Sequence, residues 1–154
     1  MNPPTGDVIA AVDEIDVGFD YASNASQFRS DAEKYLGLAP GLVIHYVRKG
    51  AEALAKDLYR HLGLEKDGRP AKRMMLDELM TTMNKGSKNP APILLQVFLT
   101  TFQGFGNFSS HDQDGEEKYL TNEIARPIFE LFCEALKLYA TWRRENESQA
   151  ANNQ

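Results

Sequence analysis

Residues 106–112 (GNFSSHD) hold the side chains of this sequence that are best suited to chemistry. His111 can accept and donate a proton near neutral pH if a partner fixes its tautomer or charge. Asn107 lies four residues before it, and glycines at 104 and 106 predict that the preceding helix ends here and gives way to a polar loop. His111 is therefore a candidate functional residue. In the alternative interpretation, Asn107 only shapes the turn.

A second candidate pair lies earlier in the chain. Arg48 and Glu52 are one turn apart on a long predicted helix, so they share a face. They form either a surface ion pair, worth a few tenths of a kcal/mol, or part of the site that holds His111. The histidines at 45 and 61 fall within and at the end of the same helix, beside apolar residues, and are predicted to be surface or capping residues.

Other kinds of site find little support in the sequence. The acidic run at 112–117 does not fit the spacing of a calcium loop, and Gly104-Phe105-Gly106 lacks the strand and the Lys-Ser or Lys-Thr of a phosphate loop. Neither Ser109 nor Ser110 has the setting of a nucleophile elbow. Cys133 is the only cysteine and, spaced with apolar neighbours, is predicted to be a core residue. We expect no metal and no cofactor.

Helices must position these residues. A Ser30/Glu33 capping box predicts a short helix through Tyr35 that ends at Gly37. Three further helices are predicted from Pro40 to Gly63, from Met74 to Lys85, and from Asn89-Pro90 to Gly104. A last one is predicted from about Leu120 to Arg143, with Pro127 in its first turns. The fold class is thus all-α, an antiparallel bundle of four to five helices. We divide the chain into an N-terminal extension (1–22), a helical domain (23–143) and a flexible tail (144–154).

The composition is that of a globular protein, with 154 residues, 42% hydrophobic and 25% charged. A net charge of −5 argues against broad nucleic-acid binding but allows a local basic site. Basic residues are concentrated between two predicted helices, at Arg69, Lys72, Arg73, Lys85 and Lys88, where a solvated loop is the alternative. No apolar run approaches a membrane span and no signal peptide is evident, so a cytoplasmic protein without membrane contact is expected.

Taken together, these segments resemble the HEPN superfamily (higher eukaryotes and prokaryotes nucleotide-binding). They are most similar to a bacterial branch of unassigned function that is often found beside defence genes. That branch has Arg-x-x-x-Glu on a long helix, here Arg48 to Glu52, and a Gly-Asn-x-x-x-His turn after an apolar helix, here Gly106 to His111. A final aromatic helix completes the pattern, which covers about residues 38–143.

The resemblance implies a HEPN-like fold, a homodimer, and a groove around Arg48, Glu52, Gln103, Asn107 and His111. HEPN ribonucleases carry an Arg four to six residues before the His, and two copies meet to form a metal-independent RNA-cleaving site. In this sequence no Arg lies between Gln96 and His111, and Gln103 stands where the branch often has Arg.

Three functions follow from the resemblance. The first is a binding or regulatory module in bacterial or phage–host conflict that recognises RNA, a nucleotide or a protein partner from a defence system. The second is a ribonuclease toxin with His111 as acid–base and Arg48 on the phosphate. The third is a structural subunit of a defence complex, with the motif serving only as a helix-capping turn.

Overall fold

The computed structural model describes residues 20–66, 69–85, 89–110 and 116–152. Within these ranges the chain forms five α-helices, three short 3₁₀ segments and no strand, which confirms the prediction of an all-α helical bundle. The helices are α1 (Asp20–Lys34), α2 (Pro40–His61), α3 (Leu76–Asn84), α4 (Ile93–Ser110) and α5 (Asn122–Asn152).

Helix α2 lies at the centre of the bundle and packs against all four other α-helices. Its predicted limits are confirmed: Pro40 is the first helical residue, and Gly63, with a φ of 75°, follows the end. Most of the predicted apolar stripe is buried, although Leu42 is exposed. The buried members are Ile44, Val47, Ala51, Leu54, Leu58 and Tyr59.

Helices α1 and α2 form an antiparallel hairpin. Phe28, near the middle of α1, stacks on Tyr46 near the start of α2, whereas Tyr21 at the start of α1 lies beside Arg60 at the end of α2. Residues early in α1 therefore contact residues late in α2, as expected for two antiparallel helices joined by a short turn.

Helices α2 and α5 run parallel. Gly50 faces Phe132, and His61, about three turns later, contacts Asn146 with 3.0 Å between Nε2 and Oδ1. The contacts ascend together along both helices, so the two helices point in the same direction.

Helix α1 begins earlier than predicted. The Ser30/Glu33 capping box is wrong, because α1 starts at Asp20 and Ser30 lies in its interior; the Glu33 carboxylate instead accepts a hydrogen bond of 3.1 Å from Arg29. The buried face of α1 consists largely of alanines, which let the helix approach α2 closely but give a weak apolar signal in sequence. They are Ala22, Ala25 and Ala32.

Helix α4 does not end at its glycines. The backbone is helical through Gly104 and Gly106 to Ser110, so the predicted loop from 106 to 118 begins at least five residues too early. A glycine costs a helix only about 1 kcal/mol relative to alanine, and this helix is anchored upstream by Leu95, Leu99 and Phe102, all buried.

Helix α5 continues to Asn152 instead of ending at Arg143. Two contacts hold the added turns: Asn146 bonds His61, and Glu147 accepts a 2.9 Å bond from Arg143. Residues 144–152 therefore extend the last helix, whereas the division of the chain into domains stays a prediction. Pro127 is accommodated in the second turn, as expected.

A buried polar cluster joins α2 to α5. Asp57 is fully enclosed and accepts hydrogen bonds from the hydroxyl of Tyr139 and from Nη1 of Arg143, the latter at 2.8 Å. Arg143 is only 2% exposed, so its charge is neutralised inside the protein. We call these three residues the Asp57 cluster. No helix in the described ranges has both the length and the apolar character needed to cross a membrane.

Candidate functional site

The predicted site residues lie on two helices, and part of the predicted site is outside the described residues. Arg48 and Glu52 are half-buried on α2, and Gln103 is half-buried on α4. Asn107 lies one helical turn after Gln103, within the helix and not in a loop. His111 lies outside the described residues, so its relation to Arg48 stays a prediction.

A groove of about 220 Å³ lies between α1 and α2 and includes one of the predicted residues, Glu52. We call it the α1–α2 groove. The lining positions on α1 are three and four residues apart, and those on α2 have similar spacing. Such spacing places them on one face of each helix, and these two faces meet at the groove. The lining residues are Tyr21, Asn24, Phe28, Lys49, Glu52, Ala53 and Lys56.

The charges of the groove are two ammonium groups and one carboxylate. Lys56 Nζ lies 3.3 Å from Glu52 Oε1 and donates to the backbone oxygen of Lys72 at 3.4 Å. Lys49, one turn before Ala53, is exposed. The groove thus carries a local excess of positive charge in an acidic protein.

Tyr21 lies at one end of the groove, against two cations. Its ring centroid is 5.9 Å from Lys56 Nζ and 5.5 Å from the guanidinium carbon of Arg60. Both distances are within the range of a cation–π interaction. An aromatic surface and positive charge therefore occur together at this end.

Phe28, at the other end, belongs to a row of stacked rings. Tyr46 lies between Phe28 and Tyr35, with centroid distances of 6.4 Å and 5.9 Å and interplanar angles of 25° and 10°. Such offset aromatic contacts are each worth about 0.5–1.5 kcal/mol beyond burial. The row fixes α1 against α2 and so fixes the shape of the groove.

His45 adds no fixed charge to this face at neutral pH. Burial, followed by the charges of Lys49 and Arg48, lowers its pKa from the ordinary value of 6.5. The neutral ring packs edge-on against Tyr46, with 5.1 Å between centroids. His45 is thus half-buried on α2.

Hydrogen bonds and an ion pair hold the segment that follows α2 beside the groove. The hydroxyl of Tyr59 donates to the backbone oxygens of Leu64 and Arg69, and burial raises its pKa, so it stays protonated. Glu65 accepts from the Ala71 amide at 2.7 Å and pairs with Arg60 at 3.2 Å. These contacts hold the 3₁₀ segment Ala71–Arg73 near Lys56, which brings part of the predicted basic concentration to this face.

The Asp57 cluster is not a reaction site. Asp57 and Tyr139 are each 0% exposed, so no substrate can reach them. Burial, reinforced by the Asp57 charge, raises the pKa of Tyr139 well above its ordinary value, and its hydroxyl remains a donor. The cluster positions α2 against α5.

A second cavity, of about 400 Å³, is apolar and lies between α4 and α5. Next to it, Ile93 is 78% exposed, and Leu94 and Val97 are both more than half exposed. Together with the half-buried Phe98 and Leu138 we call this the apolar face. Lys137 and Glu134, which pair at 3.4 Å, stand on its rim.

Sequence reasoning missed most of the groove. Tyr21 was assigned to an extension outside the domain, and Asn24, Phe28, Lys49 and Lys56 were not singled out. The available signal was the spacing of Lys49, Glu52 and Lys56, which places three charged residues on one face.

In the part of the chain that the structure describes, no group of three or more histidine, cysteine, aspartate or glutamate residues could hold a metal ion. Comparisons of the chain with protein-family models, with curated proteins and with solved structures find no match.

Proposed function

We propose that this protein is a helical binding module that recognises single-stranded RNA or a free nucleotide in the α1–α2 groove. The observation that carries the proposal is the joint presence of Tyr21 and Phe28 with Lys49 and Lys56 along one groove. Proteins that bind single strands combine aromatic rings, on which bases stack, with cations that follow the phosphates.

The charge distribution supports a local contact. With a net charge of −5 the protein as a whole repels a polyanion, and only a concentrated basic surface can overcome this. Arg60 lies at the Tyr21 end of the groove, and the backbone of Lys72 contacts Lys56. A short stretch of nucleotides is the ligand that such a surface fits.

The HEPN relationship and a role in bacterial or phage–host conflict are part of this proposal, and they rest on the motif residues Arg48, Glu52, Asn107 and His111. Glu52 belongs both to the motif and to the groove. We place the RNA contact on the face of α2 that the motif shares.

A homodimer through the apolar face is also proposed. A two-fold axis would bring Lys137 of one copy to Glu134 of the other, so the rim is complementary to itself, as an isologous interface requires. The face lies at the start of α4, and Asn107 is about 21 Å further along that helix. Such a dimer keeps Asn107 of both copies away from the interface, which favours binding over a cleavage site shared between two copies.

The test is fluorescence anisotropy with a labelled single-stranded RNA of about ten nucleotides at low salt. The double variant Lys49→Gln/Lys56→Gln should lose at least about tenfold in affinity, since the groove loses both ammonium charges and keeps the Glu52 carboxylate, which repels phosphate. A matched double variant, Lys34→Gln/Lys118→Gln, removes the same charge from other surfaces and should bind within about twofold of wild type. Absence of binding by wild type, or equal losses in both doubles, would refute the proposal.

The same samples distinguish binding from cleavage. Incubation of the RNA with wild type in excess EDTA should leave it intact. Products that end in cyclic phosphate, and that disappear in both His111→Ala and Arg48→Ala, would establish the ribonuclease alternative instead.

A further inference from the structure

We infer that the carboxylate of Glu52 makes the α1–α2 groove selective for guanine. This inference rests on the proposed function, because it assigns the base that the same groove would take. Its starting point is a feature that phosphate binding alone does not explain, namely a half-buried carboxylate that lines the groove together with two ammonium groups and pairs with one of them.

A carboxylate disfavours an anionic ligand unless it accepts hydrogen bonds from that ligand. Glu52 Oε1 pairs with Lys56 at 3.3 Å across one helical turn, and both side chains line the groove. Since an ionised carboxylate only accepts, the part of the ligand that lies against it must present N–H or O–H donors.

Among the four RNA bases, guanine matches a carboxylate best. Its Watson–Crick edge presents two adjacent donors, the N1–H and the exocyclic amine, which two carboxylate oxygens can accept together. Cytosine and adenine each place a ring-nitrogen acceptor beside their single amine, and uracil flanks its N3–H with carbonyl oxygens. Each of these acceptors would face the negative charge of Glu52.

The remaining lining residues suit the rest of a guanine nucleotide. Asn24 supplies an amide donor for the O6 carbonyl, which the other side of the guanine edge presents. Tyr21 and Phe28 supply aromatic surface for the flat face of the base. Lys49 supplies a cation for the phosphate, because Lys56 is engaged by Glu52.

The size of the groove agrees with a single base. At about 220 Å³ it is smaller than the roughly 300–1,000 Å³ typical of sites that enclose a whole small-molecule ligand. The base would enter the groove while the ribose and phosphate lie at its rim.

The test compares GMP, IMP, AMP, CMP and UMP as competitors for a labelled RNA that contains one guanine. IMP differs from GMP only by lacking the exocyclic amine. Wild type should bind GMP about tenfold or more tightly than IMP, and also more tightly than the other three. Glu52→Gln, with an unchanged thermal unfolding midpoint, should reduce the difference between GMP and IMP to about twofold while still binding RNA.

Three outcomes separate the two proposals. A preference for GMP that disappears in Glu52→Gln supports the guanine assignment. RNA binding with equal competition by all five nucleotides would overturn the guanine assignment and leave the proposed function standing. If wild type binds neither RNA nor any nucleotide, the proposed function fails and this inference fails with it.

Discussion

The hydroxyl of Tyr139 donates a hydrogen bond to the carboxylate of Asp57, which joins α5 to α2 inside the core. Both side chains are fully enclosed, and Arg143 completes the arrangement with a 2.8 Å bond to the same oxygen, Oδ2 of Asp57. The cluster therefore fixes the register of α5 along α2, the helix that carries half of the proposed groove.

Removing the negative charge of this cluster should destabilise the protein strongly. Asp57→Ala leaves the Arg143 charge buried without its main partner, and we expect a loss of about 3–5 kcal/mol in the free energy of unfolding. Tyr139→Phe, which removes one hydrogen bond and keeps the ring, should cost about 1–2 kcal/mol. Urea unfolding followed by circular dichroism measures both.

Glu147→Ala is the control for these two variants. Its carboxylate also pairs with Arg143, but Glu147 is 47% exposed, so its loss should cost less than about 1 kcal/mol. Equal effects of Asp57→Ala and Glu147→Ala would show that burial of the cluster does not determine its energetic importance.

Gly50→Ala should destabilise the protein although alanine is the better helix former. A Cβ at Gly50 would overlap the ring of Phe132, standing 2.8 Å from its Cε2, and that ring is itself held edge-on by Phe102 at 5.8 Å. Overpacking of this kind costs about 1–3 kcal/mol. Gly104→Ala is the matched control, because a Cβ there meets nothing within 4 Å.

The free energy of unfolding should therefore fall for Gly50→Ala and rise for Gly104→Ala. Thermal and urea unfolding measure both changes. Gly104→Ala should stabilise α4 by about 0.5–1 kcal/mol through helix propensity. A stabilising effect of Gly50→Ala would mean that Phe132 can withdraw without loss, contrary to the close approach of α2 and α5.

A comparison of the predicted with the observed helix limits shows what sequence patterns can predict. For α2, the signals of Pro40, the apolar stripe and Gly63 all agree, and the helix was predicted correctly. For α1, the buried residues are three alanines with Ser26 and Arg29, which give little apolar signal, so the helix was predicted about ten residues too short at its start. For α4, local glycines were given too much weight against the packing that extends the helix.

The groove and the Asp57 cluster depend on contacts between distant segments, which a single sequence does not reveal. Asp57 and Arg143 are separated by 86 positions, and an isolated aspartate within an apolar stripe does not indicate its partner. The spacing of Lys49, Glu52 and Lys56 indicates a shared face, but only the packing of α1 places Tyr21 opposite them.

Cys133 should make stability depend on pH in the alkaline range. Burial raises the pKa of its thiol from 9.0 to about 11, an effect that the nearby Arg29 charge partly offsets. Because the folded pKa is higher, the unfolded chain ionises first. Below about pH 9 the neutral thiol makes its full contribution to the free energy of unfolding. As the pH rises towards 11, that free energy falls by about 2–3 kcal/mol.

Urea unfolding at several pH values between 8 and 11 tests this dependence, with Cys133→Ala as the reference. Both proteins share the titration of Tyr59 and Tyr139, so the difference between their stabilities isolates the cysteine. That difference should shrink or reverse above pH 9. A constant difference would mean that the thiol is not desolvated in the folded state.

Val97→Lys should abolish the proposed homodimer. Val97 lies on the apolar face and is 52% exposed, so the new charge is tolerated in the monomer but would be buried at the interface. Sedimentation velocity should show a dimer for wild type and a monomer for the variant. Met75→Lys, at another exposed apolar position, should remain dimeric. A wild-type protein that is monomeric at every concentration would exclude this interface.

The salt dependence of RNA binding should separate the cations of the groove from its rings. Each lysine that neutralises a phosphate contributes about 0.7 to the slope of log affinity against log salt for a single strand. Lys49→Gln should therefore reduce the slope by about that amount, and Lys34→Gln should leave it unchanged. Tyr21→Ala should weaken binding by about tenfold or more through lost stacking, yet keep the wild-type slope, because no phosphate contact is lost. A reduced slope in Tyr21→Ala would mean that the ring acts by holding Lys56 and Arg60 in place and not by receiving a base.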